Sequence, residues 1–177
     1  SQAGQAAHLT LPDPRRCGSS GMLEPARRTP LRRHVVSEPP PNASAASYLA
    51  AVLAGSCGPM SSVLLDQHII AGLGNIYVCE ALHRAGINPR RKASQLSKPR
   101  IARLVPVIRD VISEAIEAGG SSLRDFRQAD GELGYFQHVF QAYDREGHPC
   151  TTPGCAGTIR RIVQSGRSTF YCPTCQR

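Results

Sequence analysis

Four cysteines near the end of the chain could do chemistry together. Cys150, Cys155, Cys172 and Cys175 are spaced C-x4-C, then sixteen residues, then C-x2-C. Two short thiolate loops facing each other are a donor set that zinc takes as a tetrahedron. Four protein ligands leave no open coordination position, so such a metal is structural and not catalytic. Two disulfides, or free thiols, are the alternatives; the paired spacing fits metal better, and nothing in the sequence indicates secretion. Two further features suit a phosphate. Gly72-Leu-Gly-Asn75 precedes a predicted helix, whose first N–H groups and dipole favour an anion, and Asn75 adds an amide donor. Arg167 follows Gly166 in a predicted turn between the cysteine pairs. Each alone has a bland reading, a capped helix start or a solvated arginine. Together in a basic chain they suggest two clamps on a nucleic-acid backbone, which position a protein without reading sequence.

These residues need elements to hold them. Thr158–Val163 and Ser168–Tyr171 read as two strands joined by a turn at Gln164–Arg167, with the metal closing the open end. Val63–Gln67 reads as a short helix, followed by the glycine turns of His68–Gly74. Asn75 is expected to cap a helix over Ile76–Ala85, ended by Gly86 and Asn88-Pro89. Ser97 is expected to cap the next helix, with Pro99 in its first turn. Ile101, Leu104, Val105, Ile108, Val111, Ile112, Ala115 and Ile116 form its apolar stripe, read as core. Pro106 lies inside the stripe, and Gly119-Gly120 ends it. A short helix at Ser122–Arg127 and a glycine-punctuated loop at Ala129–Gly134 come next, with Phe136, Val139, Phe140 and Tyr143 packing the loop onto the helices.

The 177 residues carry a net charge of +8 and only two lysines, Lys92 and Lys98, so arginine supplies nearly all the positive charge. That balance suits a polyanion, with nucleic acid ahead of an anionic membrane surface. No apolar run is long enough to cross a bilayer, and no signal peptide is evident. The remaining cysteines, Cys17, Cys57 and Cys79, read as inert thiols in a reducing compartment. Residues 1–58 are rich in proline and arginine and predict a poorly ordered basic tail, apart from a short helix at residues 45–54.

Residues 59–177 resemble the C-terminal part of bacterial formamidopyrimidine-DNA glycosylases, which excise oxidised purines. The resemblance rests on Leu64-Leu-Asp-Gln67, Gly72-Leu-Gly-Asn-Ile-Tyr77, Glu80-Ala81-Leu82, Gly119-Gly120-Ser121, Ala129-Asp-Gly131, Gly134-Tyr-Phe136 and Gln164-Ser-Gly-Arg-Ser-Thr-Phe-Tyr-Cys172. It implies a mainly α fold: a helix–two-turn–helix domain over residues 59–142, then a four-cysteine zinc-finger β-hairpin over 143–177, behind the disordered tail. It implies one structural zinc, double-stranded DNA, damaged or abasic, as partner, a monomer, and a place in the bacterial cytoplasm at the nucleoid. It also implies that Asn75, Arg167, Gly72 and Gly74 meet phosphates beside a flipped lesion, and that a loop from Ser121 to Tyr135 closes over the base.

The chemistry of that family belongs to an N-terminal sandwich that begins Pro-Glu, whose proline nitrogen attacks the sugar. This chain opens Ser1-Gln2, its first 58 residues do not resemble the sandwich, and a family lysine is replaced by Ser61. A substitute Schiff-base amine could come only from Lys92, Lys98 or the N-terminus, and none is an attractive nucleophile. The sequence therefore predicts a damage-binding module in base-excision repair with no catalytic residue. The alternative is a fragment or variant of an active glycosylase and abasic-site lyase.

Overall fold

The computed structural model describes residues 45–120 and 135–177. The expectations for the basic tail up to residue 44, for the Ser122–Arg127 helix and for the Ala129–Gly134 loop lie outside those residues. Among the described residues there are four α-helices and one two-stranded sheet. The helices are α1 (Ala45–Ala54), α2 (Met60–Leu64), α3 (Asn75–Arg84) and α4 (Lys98–Glu117). Single 3-10 turns lie at Ala93–Gln95 and Phe136–Val139. The strands are β1 (Arg160–Gln164) and β2 (Arg167–Tyr171), so the architecture is a helical body with a small added sheet. No helix among the described residues is long and apolar enough to cross a membrane.

The helices share one core. Leu49 and Leu53 of α1, Met60 and Leu64 of α2, Val78 and Leu82 of α3, and Leu104 and Ile108 of α4 are all buried in it. Helix α1, expected as a short helix at residues 45–54, packs into the same core as α2, α3 and α4. The α4 stripe is core for most of its length, but Ile112 is only partly buried and Ile116 is 71 % exposed. Pro106 sits inside α4, which continues through it.

Two helix starts differ from expectation. Helix α2 begins at Met60, three residues early, because Pro59 is extended and pairs with Lys92. Asn75 is the first residue of α3 and does not cap it; Gly74 holds that position, and no side chain bonds to the helix start. Ser97 occupies the N-cap of α4 but likewise makes no side-chain cap bond. At the other end of α3, Gly86 has φ +65°, and the Ile87 N–H returns to the Leu82 carbonyl at 2.9 Å. This closes the helix with a left-handed residue that favours glycine.

The hairpin forms as the sequence suggests, with a tighter turn. Gln164 and Arg167 are the last paired residues, leaving Ser165 (φ +50°) and Gly166 (φ +74°) as a two-residue loop. Positive φ at both positions is the turn geometry whose twist matches a right-handed strand pair. A row of rings ties hairpin to helices: Tyr77, Phe136, Phe140, Tyr143 and Phe170 touch in succession at centroid distances of 5.7, 5.6, 5.5 and 4.9 Å. Val139 stays outside that row, half exposed.

One buried charge governs the junction between the helices and the hairpin. Glu80 of α3 is fully buried. Its Oε2 accepts the Gln141 N–H at 2.9 Å, and its Oε1 accepts those of Ala142 and Tyr143 at 2.9 and 2.8 Å. A buried carboxylate is tolerated when hydrogen bonds replace its water, and each bond to an ionised group is worth about 1.5–3 kcal/mol. Glu80→Ala leaves three N–H groups, one buried and two partly buried, without their acceptor. It should cost about 3 kcal/mol or more in denaturant unfolding, whereas Glu80→Gln, which keeps one acceptor oxygen, should cost less.

Candidate metal centre and nucleic-acid interface

The sulfurs of Cys150, Cys155, Cys172 and Cys175 all lie within 4.8 Å of one another. The Cys150–Cys175 and Cys155–Cys172 separations are both 3.7 Å. Sulfurs about 2.3 Å from one tetrahedral zinc stand roughly 3.8 Å apart, so the cluster has the size to hold a single ion. At 3.7 Å neither pair is disulfide-bonded, and all four cysteines are free thiols. The disulfide alternative raised by the sequence is thereby set aside.

The loops around the sulfurs are built to hold them. Gly157 donates its N–H to Cys155 Sγ at 3.4 Å and passes its carbonyl to the Cys150 N–H at 2.8 Å. A Cβ at Gly157 would stand 2.6 Å from Cys172 Sγ and 2.7 Å from Thr174 Cβ, so only glycine fits. Thr152 Oγ1 lies 3.6 Å from Cys175 Sγ. No sequence signal singles out Gly157; only the folded contact with Cys172 identifies it.

The hairpin is fastened to the helical body at both ends. At the tail, Gln176 is buried; its Oε1 accepts the Cys172 N–H at 2.7 Å and its Nε2 donates to the Ile87 carbonyl at 2.9 Å. Near the turn, Ser61 donates to Gln164 Oε1 at 2.9 Å, and the Ser62 and Ser165 hydroxyls lie 2.8 Å apart. Between these, α3 lies along β2. Asn75 Nδ2 donates to the Ser168 carbonyl at 2.8 Å. Four residues on, Cys79 lies against the backbone of Phe170, and burial pushes its thiol up to about 12. Four further on, His83 Nε2 lies 3.4 Å from Cys150 Sγ. Positions 75, 79 and 83 form one stripe of α3, and that stripe meets the hairpin. None of these three contacts was expected from the sequence, although the four-residue spacing of Asn, Cys and His was there to be read. Cys79 is a buried free thiol, as expected, whereas Cys57 is disulfide-bonded.

The residues read as phosphate hardware come together only in part. Asn75 is tied to Ser168, the neighbour of Arg167, so the start of α3 and the start of β2 adjoin. Arg167 is exposed, as are Arg160 and Arg161 of β1; Arg161 Nε donates to Ser168 Oγ at 3.0 Å. Gly74 is exposed at the uncapped start of α3. The Gly72 N–H is already taken by Gln67 Oε1 at 2.9 Å. Gly72 therefore contributes conformation, with φ +80°, and not a free donor. Gln67 also donates to the Leu65 and Leu73 carbonyls at 3.2 Å each, bracing the turn before α3 from within. Tyr135 is 66 % exposed at the edge of the described residues, and Ser121 lies outside them. Lys92 and Lys98 are both exposed on the surface.

Comparison with known proteins adds to this geometry. Residues 35–127 match the profile described as the formamidopyrimidine-DNA glycosylase H2TH domain, and residues 147–177 that of the zinc finger found in FPG and IleRS. The chain is 60 % identical over 173 residues to a formamidopyrimidine-DNA glycosylase of Cereibacter sphaeroides, covering 97 % of this chain and 61 % of that protein. It is 58 % identical to that of Ruegeria pomeroyi with the same coverage. The match thus takes in most of residues 1–58, the stretch read as not resembling the family's N-terminal sandwich. The chain spans about three fifths of the length of these relatives. Among solved structures it resembles the MutM (Fpg) protein of Thermus thermophilus, with TM-score 0.73 and 42 % identity over 83 % of this chain and 54 % of that one. It also resembles the Lactococcus lactis Fpg in complex with DNA containing an abasic site, with TM-score 0.68 and 36 % identity over 75 % of this chain and 48 % of that one.

Removing zinc with a chelator should expose residues 143–177 to protease, because the metal supplies folding energy to the hairpin. The helical circular-dichroism signal should persist, since its core does not include the cysteines. Gly157→Ala should lower bound zinc, measured by metal analysis after dialysis, without that treatment.

Proposed function

Because the chain belongs to the formamidopyrimidine-DNA glycosylase family, we propose that its helical body and zinc-held hairpin grip the backbone of double-stranded DNA at a damaged or abasic position. The observation that carries this reading is the Asn75–Ser168 bond at 2.8 Å, which sets the uncapped start of α3 beside the exposed Arg167. Asn75 gives an amide hydrogen to Ser168 and also meets the Tyr143 side chain, which fixes it at the helix start, and the first-turn N–H groups of α3 have no acceptor within the helix. Donors from a helix dipole and a guanidinium side by side suit a phosphate diester. Gly74 lets the DNA backbone approach closely, and Gly72 shapes the turn behind it.

In this reading α2, the glycine turns and α3 act as the helix–two-turn–helix unit, and residues 143–177 form the finger. The unit is mainly α, and it works as a monomer at the nucleoid of a bacterial cytoplasm. The segment from Ser121 to Tyr135 serves as a lesion loop. The metal is structural: all its positions are filled by cysteine, so it holds the hairpin and takes no part in bond breaking. No catalytic role is assigned to a described residue: Lys92 and Lys98 stand exposed, where an amine stays protonated and is a poor nucleophile.

A second reading has its own support. The 60 % identity to relatives named as glycosylases favours a polypeptide that takes part in base excision and abasic-site cleavage as a glycosylase and lyase. Borohydride trapping on DNA with a true abasic site separates the two. A covalent adduct supports the catalytic reading, and selective binding without one supports a recognition unit.

Arg167→Ala should weaken binding to an abasic-analogue duplex by about 1–3 kcal/mol. It should also reduce the slope of log K against log salt by about one, as one phosphate contact is lost. Equal affinity and slope for wild type and variant would remove Arg167 from the interface.

A further inference from the structure

Each cysteine of the metal centre has a hydrogen-bond donor close to its sulfur, but the donors differ in origin. Cys155 has the Gly157 N–H at 3.4 Å, and Cys175 has the Thr152 hydroxyl at 3.6 Å. Cys172 has the backbone N–H groups of Thr174 and Cys175. All of these belong to the finger itself. The donor to Cys150 does not: it is Nε2 of His83, in the last turn of α3, at 3.4 Å and 67 residues distant in sequence. His83 is buried, only 2 % exposed, so its ring polar atoms have no water to turn to. A neutral imidazole carries one N–H. The Gln141 side chain is the other polar group beside the ring, and Nδ1 is buried without a hydrogen bond of good geometry. A metal-bound thiolate 3.4 Å from Nε2 is an acceptor for that N–H.

We propose that His83 is an outer-sphere ligand of the zinc centre, donating its Nε2–H to the Cys150 thiolate and so coupling metal retention to the seating of α3 on the hairpin. Four thiolates on one divalent ion leave a net charge of about −2 in a half-buried pocket, and each N–H donor offsets part of it. Removing the donor makes Cys150 a more basic and more easily protonated ligand. Because the donor rides on α3, metal and helix stabilise each other. The metal fixes Cys150 where His83 can reach it, and a seated α3 retains the metal. The Asn75 contact with β2 lies at the other end of the same stripe, so loosening at His83 is transmitted to the proposed phosphate clamp. Only this last consequence rests on the proposed function.

The test uses the full chain loaded with zinc, or with cobalt as a spectroscopic stand-in. His83→Leu should release zinc to a chromogenic chelator about 10- to 100-fold faster than wild type, the range for loss of an outer-sphere partner. The thiolate-to-cobalt charge-transfer band should move to lower energy, as a sulfur lone pair without its hydrogen bond is easier to ionise. His83→Gln, which keeps an N–H donor of similar reach, should recover most of both properties. Wild-type release rate and spectrum in His83→Leu would overturn the proposal. A measurement without substitution guards against a variant that fails to fold: long-range proton–nitrogen correlation on the zinc-loaded wild type should find the Nε2–H tautomer. The Nδ1–H tautomer would refute the hydrogen bond directly. DNA affinity, measured in parallel, tests a separate matter: altered metal retention with unchanged DNA binding would leave His83 in place and count against the phosphate clamp.

Discussion

The fold turns on a charge buried where two small units meet. Moving the Glu80 carboxylate out of water costs several kcal/mol, and that cost is offset only while three backbone N–H groups converge on it. They belong to Gln141, Ala142 and Tyr143, the segment that leads from the helical body into the finger. The requirement runs both ways. The carboxylate cannot be buried without the segment, and the segment's N–H groups cannot be buried without an acceptor. The direction in which the chain leaves the helices is therefore dictated by a hydrogen-bonding demand of α3, and the aromatic row from Tyr77 to Phe170 packs around the result.

From that anchor, α3 serves two purposes. Its buried side joins the core through Val78 and Leu82, and its next stripe covers the backbone of β2. A two-stranded hairpin has two open edges and is barely stable alone. Here one edge is taken up by Asn75 and Cys79, while the end opposite the turn is closed by the four cysteines and Gln176. Metal and helix thus supply what a sheet this small lacks. The surface left over, with Arg160, Arg161, Arg167 and the start of α3, is basic, which agrees with the charge of +8 over the whole chain.

Most of the outline was legible because it depends on local pattern. The cysteine spacing, the Ser-Gly turn and the 3.6-residue stripe of α4 are short-range signals, and each appears where the sequence places it. The errors share a cause as well. Asn75 has the chemistry of a helix cap, but it is the first residue of the helix, its Nδ2 donating to a carbonyl on a strand 93 residues later, and Gly74 holds the cap position instead. Gly72 reads as a free donor, yet the Gln67 side chain folds back onto it. Ile116 fits the apolar period of α4 but stands 71 % exposed, because periodicity names a face and not what packs on it.

What the sequence determined by itself is the set of groups able to do chemistry: four thiols at a spacing suited to one metal, glycines where the backbone needs positive φ, and an arginine beside a tight turn. These follow from bond geometry and local sterics over a few residues. Tertiary structure decided the partners of those groups. That Glu80 is buried beneath residues 141–143, that His83 reaches Cys150, and that Gly157 leaves no room for a methyl group all depend on surfaces brought together across as many as 67 residues. A long-range contact is set by the sum of many packing choices, and no short stretch of sequence contains that sum.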